Sequence, residues 1–205
     1  EVLDEEVNQI LDMGVVCHFG EEITSMKAML DMGFDAYFIG TGAPRGRDLD
    51  LPGRSEVDDS IHIGIDWLSS VAFGHIDAIE GKVIVMGGGN TAMDCCRTSL
   101  RLGAESVNVV VRSAFDVMKA SEWEKEDAMR EGIPIINNRP PKEFVHENGK
   151  LKGIVFECVE PVEENGRLKY VPSGEPDVFM EVDHVLMAIG QDNHCPWIER
   201  DIGLE

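Results

Sequence analysis

Apolar and polar positions along the chain change rhythm several times, and each change predicts an element. From Asp4 to Met13 the apolar residues Val7, Ile10, Leu11 and Met13 recur at helical spacing and stop at Gly14. Val15 to Phe19 reads as a short strand, and Glu21 to Met32 as a second helix closed by Gly33. Ala36-Tyr37-Phe38-Ile39-Gly40 reads as a buried strand running into Thr41-Gly42-Ala43-Pro44. Arg45 to Asp59 is rich in glycine, proline and charge and is the best linker candidate; His62 to Ala72 restarts a helical pattern. The β-branched run Lys82 to Met86 predicts a buried strand that breaks into Gly87-Gly88-Gly89. A helix from Thr91 to Leu102 follows without a gap, with Gly103 as its stop and Ser106 to Val111 as the next strand. Ser121-x-x-Glu124 predicts a capping box opening a helix that ends at Gly132, and Ile133 to Ile136 a further strand.

After Ile136 the pattern changes. Lys142 to His146 and Leu151 to Val159 flank Glu147-Asn148-Gly149-Lys150, and Asn-Gly is a strong hairpin signal. A second Asn165-Gly166 leads into Arg167 to Val171, and Val178 to Val182 is a further candidate strand. Val185 to Ile189 returns as a buried strand ending at Gly190. The fold class expected is α/β: a Rossmann-like parallel sheet with helices on one side and an antiparallel β-meander on the other, a three-layer arrangement.

The glycine turn carries the candidate chemistry. Gly87-x-Gly89-x-x-Ala92 fits the dinucleotide fingerprint, with Ala92 as the small third residue that lets helix and strand pack closely. A strand that ends in such a turn aims the first N–H groups of the next helix, and its dipole, at a pyrophosphate. Asn90 or Thr91 is expected to cap that helix. When the ribose is bare, the second strand should end near a carboxylate, but here it ends Val110-Val111-Arg112-Ser113. A guanidinium there suits a 2′-phosphate, which it grips with paired hydrogen bonds, and Lys119 would add charge. The plainer alternatives are a loop arginine and a solvated lysine, so the cofactor is NADP or NAD with a lean to NADP.

Composition narrows the field. With 43% hydrophobic and 28% charged residues the chain is an ordinary globular protein, and a net charge of −21 argues against nucleic acid and anionic membranes. No apolar run approaches the length of a membrane span, and Glu1-Val2-Leu3-Asp4 has no signal-peptide character. The five cysteines, at positions 17, 95, 96, 158 and 195, form no C-x-x-C pair, which leaves neither a metal spacing nor a redox motif. Reduced thiols and a cytoplasmic protein are expected, with at least one of Cys95 and Cys96 packing as a small hydrophobe. Glu122 and His75 read as a charged helix face and a solvated histidine; no catalytic and no metal-binding residue is assigned. The C-terminal part shows no cluster of His, Lys or acidic residues that a dehydrogenase's substrate domain would carry.

Gly87-Gly88-Gly89-Asn90-Thr91-Ala92-Met93-Asp94-Cys95-Cys96-Arg97-Thr98 resembles the glutamate synthase small (β) subunit family of flavoproteins, within the pyridine nucleotide-disulfide oxidoreductase superfamily. So do Phe38-Ile39-Gly40-Thr41-Gly42-Ala43 with Leu51-Pro52-Gly53, Met118-Lys119-Ala120 with Glu131-Gly132-Ile133, and Ala188-Ile189-Gly190-Gln191. Relatives of that family include NADH-dependent ferredoxin:NADP oxidoreductases and the flavin module of dihydropyrimidine dehydrogenase. The chain departs from the family's usual residues at Asn90 (Asp), Ser113 (a second Arg) and Lys119 (Pro), and with Ser113 one guanidinium must do what two normally share.

The resemblance implies an NAD(P)H-binding domain at 54–190, a remnant of an FAD-binding domain at 1–53, and at 191–205 the start of a return to it. It adds Ala188, Ile189 and Gly190 to the cofactor-binding set and makes Thr41, Gly42 and Ala43 vestigial FAD-side residues. The family's opening Gly-rich turn, closing Gly-Asp motif and iron–sulfur cysteines are not in these 205 residues. An excised piece is therefore expected, with FAD bound in the full-length parent rather than here. The implied reaction is hydride transfer from nicotinamide C4 to flavin N5, and electron flow onward to an iron–sulfur or glutamate synthase large-subunit-type acceptor. The alternatives are a nucleotide-binding module without turnover, or a module of a ferredoxin:NADP oxidoreductase-type or other iron–sulfur reductase, and a homodimer would cover faces left bare.

Overall fold

The computed structural model describes residues 2–164 and 166–203; Asn165, expected in a turn with Gly166, lies outside them. Contacts divide the chain into two compact units, one formed by residues 2–40 and 194–203, the other by Thr41–Asn193.

In the first unit α1 (Val2–Leu11) forms as the periodicity predicts, yet Val7 and Ile10 are exposed. The second helix is far shorter than Glu21 to Met32: α2 is only Met26–Leu30. Its start is set by Ser25, whose Oγ accepts the Ala28 N–H at 3.2 Å, and by Glu199, whose carboxylate accepts the Ser25 hydroxyl and the N–H groups of Met26 (3.1 Å) and Lys27 (3.2 Å). The strands expected at Val15 to Phe19 and Ala36 to Gly40 do not form, and Phe38 is 96% exposed. A strand is stable only when a neighbour takes its N–H and C=O groups, and no ladder partner exists for these runs among the described residues. Tyr37 is held instead by its hydroxyl, which donates to Met29 O and accepts the Phe34 N–H at 3.2 Å.

The second unit is built on a parallel sheet. In chain order it contains β1 (Arg45–Gly46), β2 (Ile61–Ile63), α3 (Gly64–Ala72), β3 (Lys82–Met86), α4 (Asn90–Arg101), β4 (Ser106–Val110), α5 (Glu122–Arg130) and β5 (Ile135–Ile136). There follow β6 (Pro141–Glu147), β7 (Lys150–Phe156), β8 (Val159–Glu164), β9 (Arg167–Pro172), β10 (Val178–Glu181), β11 (His184–Met187) and β12 (Gln191–Asp192). The parallel sheet has the order β2-β11-β3-β4-β5. Val85 stands opposite Leu186 on one side and Val109 on the other, and all three are buried.

Alternation along these strands feeds two cores. Val83, Val85, Val107, Val109 and Leu186 pack with Trp67 of α3, with Ala92, Met93 and Cys96 of α4, and with Ala128 of α5. Ile84, Met86, Val110, Val185 and Met187 pack on the other face with Phe144, Leu151, Ile154 and Phe156. At about 1.5–3 kcal/mol for each large side chain fully buried, both faces contribute strongly. The three-layer α/β architecture therefore stands. Cys95 and Cys96 are both core residues, and burial pushes the Cys96 thiol up to about 12 and Cys95 higher still.

Several local expectations are corrected. The linker candidate Arg45 to Asp59 is ordered: β1 pairs antiparallel with β12, Arg54 is held by Asp48 (2.8 Å) and Asp58, and Val57 is buried. The helix expected from His62 starts at Gly64, because Ile61–Ile63 is taken as an edge strand by β11. The strand expected from Ile133 shrinks to Ile135–Ile136. The capping box at Ser121 is not made: the Ser121 hydroxyl is buried without a partner, and Glu124 pairs with Arg97 of α4 at 3.1 Å. A charge-assisted bond outweighs a neutral cap, and Arg97 also engages Asp127 (3.3 Å) and Glu131 (2.8 Å), tying α4 to α5.

Nor is the antiparallel layer one meander. β6, β7 and β10 form a sheet in the order β10-β7-β6, while β8 and β9 form a separate two-stranded hairpin. Asn148 and Gly149, both at positive φ (53° and 75°), make the two-residue turn between β6 and β7 as predicted.

On β2 and β11 the imidazoles of His62 and His184 lie 3.3 Å apart, Nε2 to Nδ1. Burial holds both below the ordinary histidine value, helped at His62 by the charge of His184 and opposed at His184 by Asp183. The folded state thus favours neutral rings. Their contribution is fully present above pH 6.5 and is lost as pH falls below it, because the unfolded chain then takes up more protons. The thermal midpoint is expected to fall between pH 7.5 and 5.5, and to fall less in His62→Asn. An equal fall in both proteins would show that this pair is not the cause.

Candidate functional site

The order of the parallel sheet reverses at β3: β4 and β5 lie to one side, β11 and β2 to the other. In open α/β sheets a ligand cleft opens at such a point, beyond the carboxyl ends of the strands. Here that cleft has a volume of about 1310 Å³.

The glycine turn forms one wall. Gly87 is at φ 139°, and a Cβ on it would lie 2.1 Å from the carbonyl oxygen of Ala188. Gly88 is not at positive φ, but a Cβ there would lie 3.0 Å from the Val111 side chain and 3.3 Å from that of Met118, and its carbonyl accepts the Ala120 N–H at 2.9 Å. Gly89 is different: a Cβ there would meet nothing within 4 Å. It is the N-cap of α4 with no side-chain cap, and the N–H groups of Gly89, Asn90 and Thr91 have no acceptor among the described residues. A helix start with bare N–H groups over an open space is a seat for an anion.

Of the residues expected from sequence, Gly87, Gly88, Gly89, Thr91, Arg112, Ser113, Lys119, Ala188, Ile189 and Gly190 border this one cleft. Two do not. The Asn90 carboxamide turns away to accept the Ser121 N–H at 3.0 Å, so neither it nor Thr91 caps α4; Ala92 is fully buried between helix and sheet. Thr41, Gly42 and Ala43 lie outside the cleft, and Thr41 and Gly42 are exposed.

Arg112 and Lys119 are exposed and form no ion pair among the described residues, which leaves both side chains free for a ligand. Sequence reasoning missed Arg47, Arg139 and Tyr170, which also border the cleft. Arg47 follows β1, its N–H donates to Gly190 O at 3.0 Å and its side chain is paired with Asp192, while Tyr170 reaches from the β8–β9 hairpin to accept the Ala114 N–H at 3.1 Å. None belongs to a motif; only chain topology brings them here. Asp48 and Glu157 are the acidic residues of the border, so the local balance is cationic although the whole chain is strongly acidic.

Comparison with known proteins places the chain in a family. The profile of the pyridine nucleotide-disulphide oxidoreductase family matches residues 4–205. Across its whole length the chain is 32% identical to the NADPH-Fe(3+) oxidoreductase subunit beta of Geobacter sulfurreducens, of which it spans 31%. Over 95% of its length it is 34% identical to the glutamate synthase (NADPH) small chain of Halomonas elongata, spanning 43% of that protein. Over 93% it is 33% identical to the NADP(+)-dependent formate dehydrogenase subunit beta of Moorella thermoacetica, spanning 28%. The chain thus spans less than half the length of these curated relatives. Among solved structures, Mycobacterium tuberculosis FprA in complex with NADPH superposes with a TM-score of 0.64 at 20% identity, covering 80% of this chain and 51% of that one. Lactococcus lactis thioredoxin reductase gives 0.59 at 23%, covering 80% and 46%. At such identities these two show a shared fold. By its sequence match and its architecture, the chain belongs to the pyridine nucleotide-disulphide oxidoreductase family.

Proposed function

We propose that residues 54–190 are the NAD(P)H-binding domain of a flavin-dependent oxidoreductase resembling the glutamate synthase small subunit, with residues 1–53 and 191–205 on the flavin side. The observation that supports this most is the open tip of Gly89, with three unpartnered N–H groups above it at a switch point of the sheet. In this reading the turn holds the pyrophosphate, Thr91 and the Ala188-Ile189-Gly190 edge flank it, and Arg112 and Lys119 face the adenosine end. NAD(P)H bound there supplies a hydride to FAD, and electrons pass onward to an iron–sulfur or glutamate synthase large-subunit-type partner in the cytoplasm. Relatives named as a small chain or a subunit beta, and as acting with NADPH or NADP(+), support that assignment. Thr41, Gly42 and Ala43 are read as flavin-side residues, and FAD as the hydride acceptor of the full-length protein.

Calorimetric titration with NADPH and NADH tests the site directly. Saturable binding of at least one is expected, and binding of neither would overturn the reading. Arg112→Ala is expected to weaken NADPH about tenfold or more and NADH less than twofold, since a hydrogen bond to a charged group contributes about 1.5–3 kcal/mol. Equal losses would mean that the side chain does not meet the 2′-phosphate.

A further inference from the structure

The border of the cleft at the end of β4 carries a second guanidinium that no fingerprint position announces. Beyond Val110 the chain is laced to the segment after β5. Val111 N–H donates to Ile136 O at 2.8 Å, and Arg139 N–H donates back to Val111 O at 3.0 Å. Ser113 O accepts the Asn138 N–H at 3.3 Å and the Asn137 side-chain amide at 2.9 Å. Asn138 takes the left-handed conformation, φ 57°, which reverses the chain at this corner. These four bonds bring residues 111–113 and 136–139 side by side, so Arg112 and Arg139 rise from adjacent backbone, and both border the cleft.

Arg139 retains most of its donors. One N–H is spent on Asn138 O at 2.9 Å, and the nearest carboxylate, Glu175, is 3.9 Å away, too far for a hydrogen bond. A guanidinium has five N–H donors in a planar fork, and this one is 24% exposed. The pyrophosphate seat is at the glycine turn, so an anion at the end of β4 is a different group. In a dinucleotide laid across this sheet, the adenosine ribose reaches the end of the second strand. A phosphate monoester there carries a charge of about −1.5 to −2 and three acceptor oxygens. Arg112 alone leaves oxygens unmatched, and Ser113 offers no charge.

We propose that Arg139 and Arg112 form a two-arginine clamp for a phosphate monoester on the adenosine ribose, which makes Arg139 a specificity-determining residue for NADP over NAD. This rests on the reading of the cleft as a dinucleotide site. Lys119 adds charge to the same border, and Glu175 is the counter-charge that the phosphate displaces.

Calorimetric titration with adenosine 2′,5′-bisphosphate and with 5′-AMP isolates the monoester. The unaltered protein is expected to bind the bisphosphate more tightly. Arg139→Ala should weaken the bisphosphate at least tenfold and 5′-AMP less than twofold. Arg139→Lys, which keeps the charge but not the fork, should fall between, and it gives the same readout if the alanine variant folds poorly. The clamp is overturned if Arg139→Ala weakens both ligands equally or leaves the bisphosphate unchanged, or if the unaltered protein does not distinguish them. If the unaltered protein binds neither ligand, the dinucleotide reading of the cleft fails with it.

Discussion

Gly89→Val is expected to weaken dinucleotide binding by more than a hundredfold while lowering the thermal midpoint by no more than about 4 °C. The two effects separate because of where the new side chain goes. A Cβ at Gly89 meets no protein atom within 4 Å, and the backbone there is extended (φ −104°, ψ 177°), a conformation valine adopts readily. The fold loses little, about 1 kcal/mol for a poorer N-cap. The ligand loses much, because the isopropyl group fills the space where main-chain N–H groups reach a pyrophosphate. Two or three hydrogen bonds to a charged group, each contributing about 1.5–3 kcal/mol, exceed a hundredfold in affinity. Titration calorimetry beside a thermal melt reads both quantities. Affinity retained in a folded variant would remove the physical basis of the site.

Two residues earlier the outcome reverses. Gly87→Ala is expected to destabilise the whole unit by about 2–6 kcal/mol, since strain at a positive φ and overpacking each cost about 1–3 kcal/mol. The added methyl would sit 2.1 Å from Ala188 O, and the φ of 139° is one that alanine rarely takes. Relief requires moving Ala188, whose N–H is bonded to Met86 O at 2.8 Å and continues the β3–β11 ladder. Against a total stability of about 5–15 kcal/mol, that is a large fraction. Urea unfolding measures it, and an unchanged midpoint would show that the turn is not pinned to β11. One glycine is thus kept for the fold and its near neighbour for the ligand.

What was legible in the sequence was what neighbouring residues decide. β3, the glycine turn, α4 and β4 follow from a β-branched run, three glycines and a helical repeat, and alternation along the strands gives the two cores. The Asn148-Gly149 turn is equally local. The failures share a different cause. Ala36 to Gly40 has a strand's composition, but a strand is a property of a pair, and none of the described residues supplies the partner. α2 is short because Glu199, distant in sequence, helps fix its first turn. The capping box at Ser121 was lost to Arg97 on another helix. At the site the glycines were readable, whereas Arg47, Arg139 and Tyr170 arrive by topology and leave no motif.

The ladder of the β8–β9 hairpin is confined to its own two strands, yet Leu168 and Tyr170 of that hairpin border the cleft. Residues can therefore be gained or lost along this arm without breaking a single rung of the parallel sheet. Such changes would resize one side of the ligand chamber, which gives descendants of this scaffold a route to new nucleotide preferences that leaves the ladder of the central framework in place.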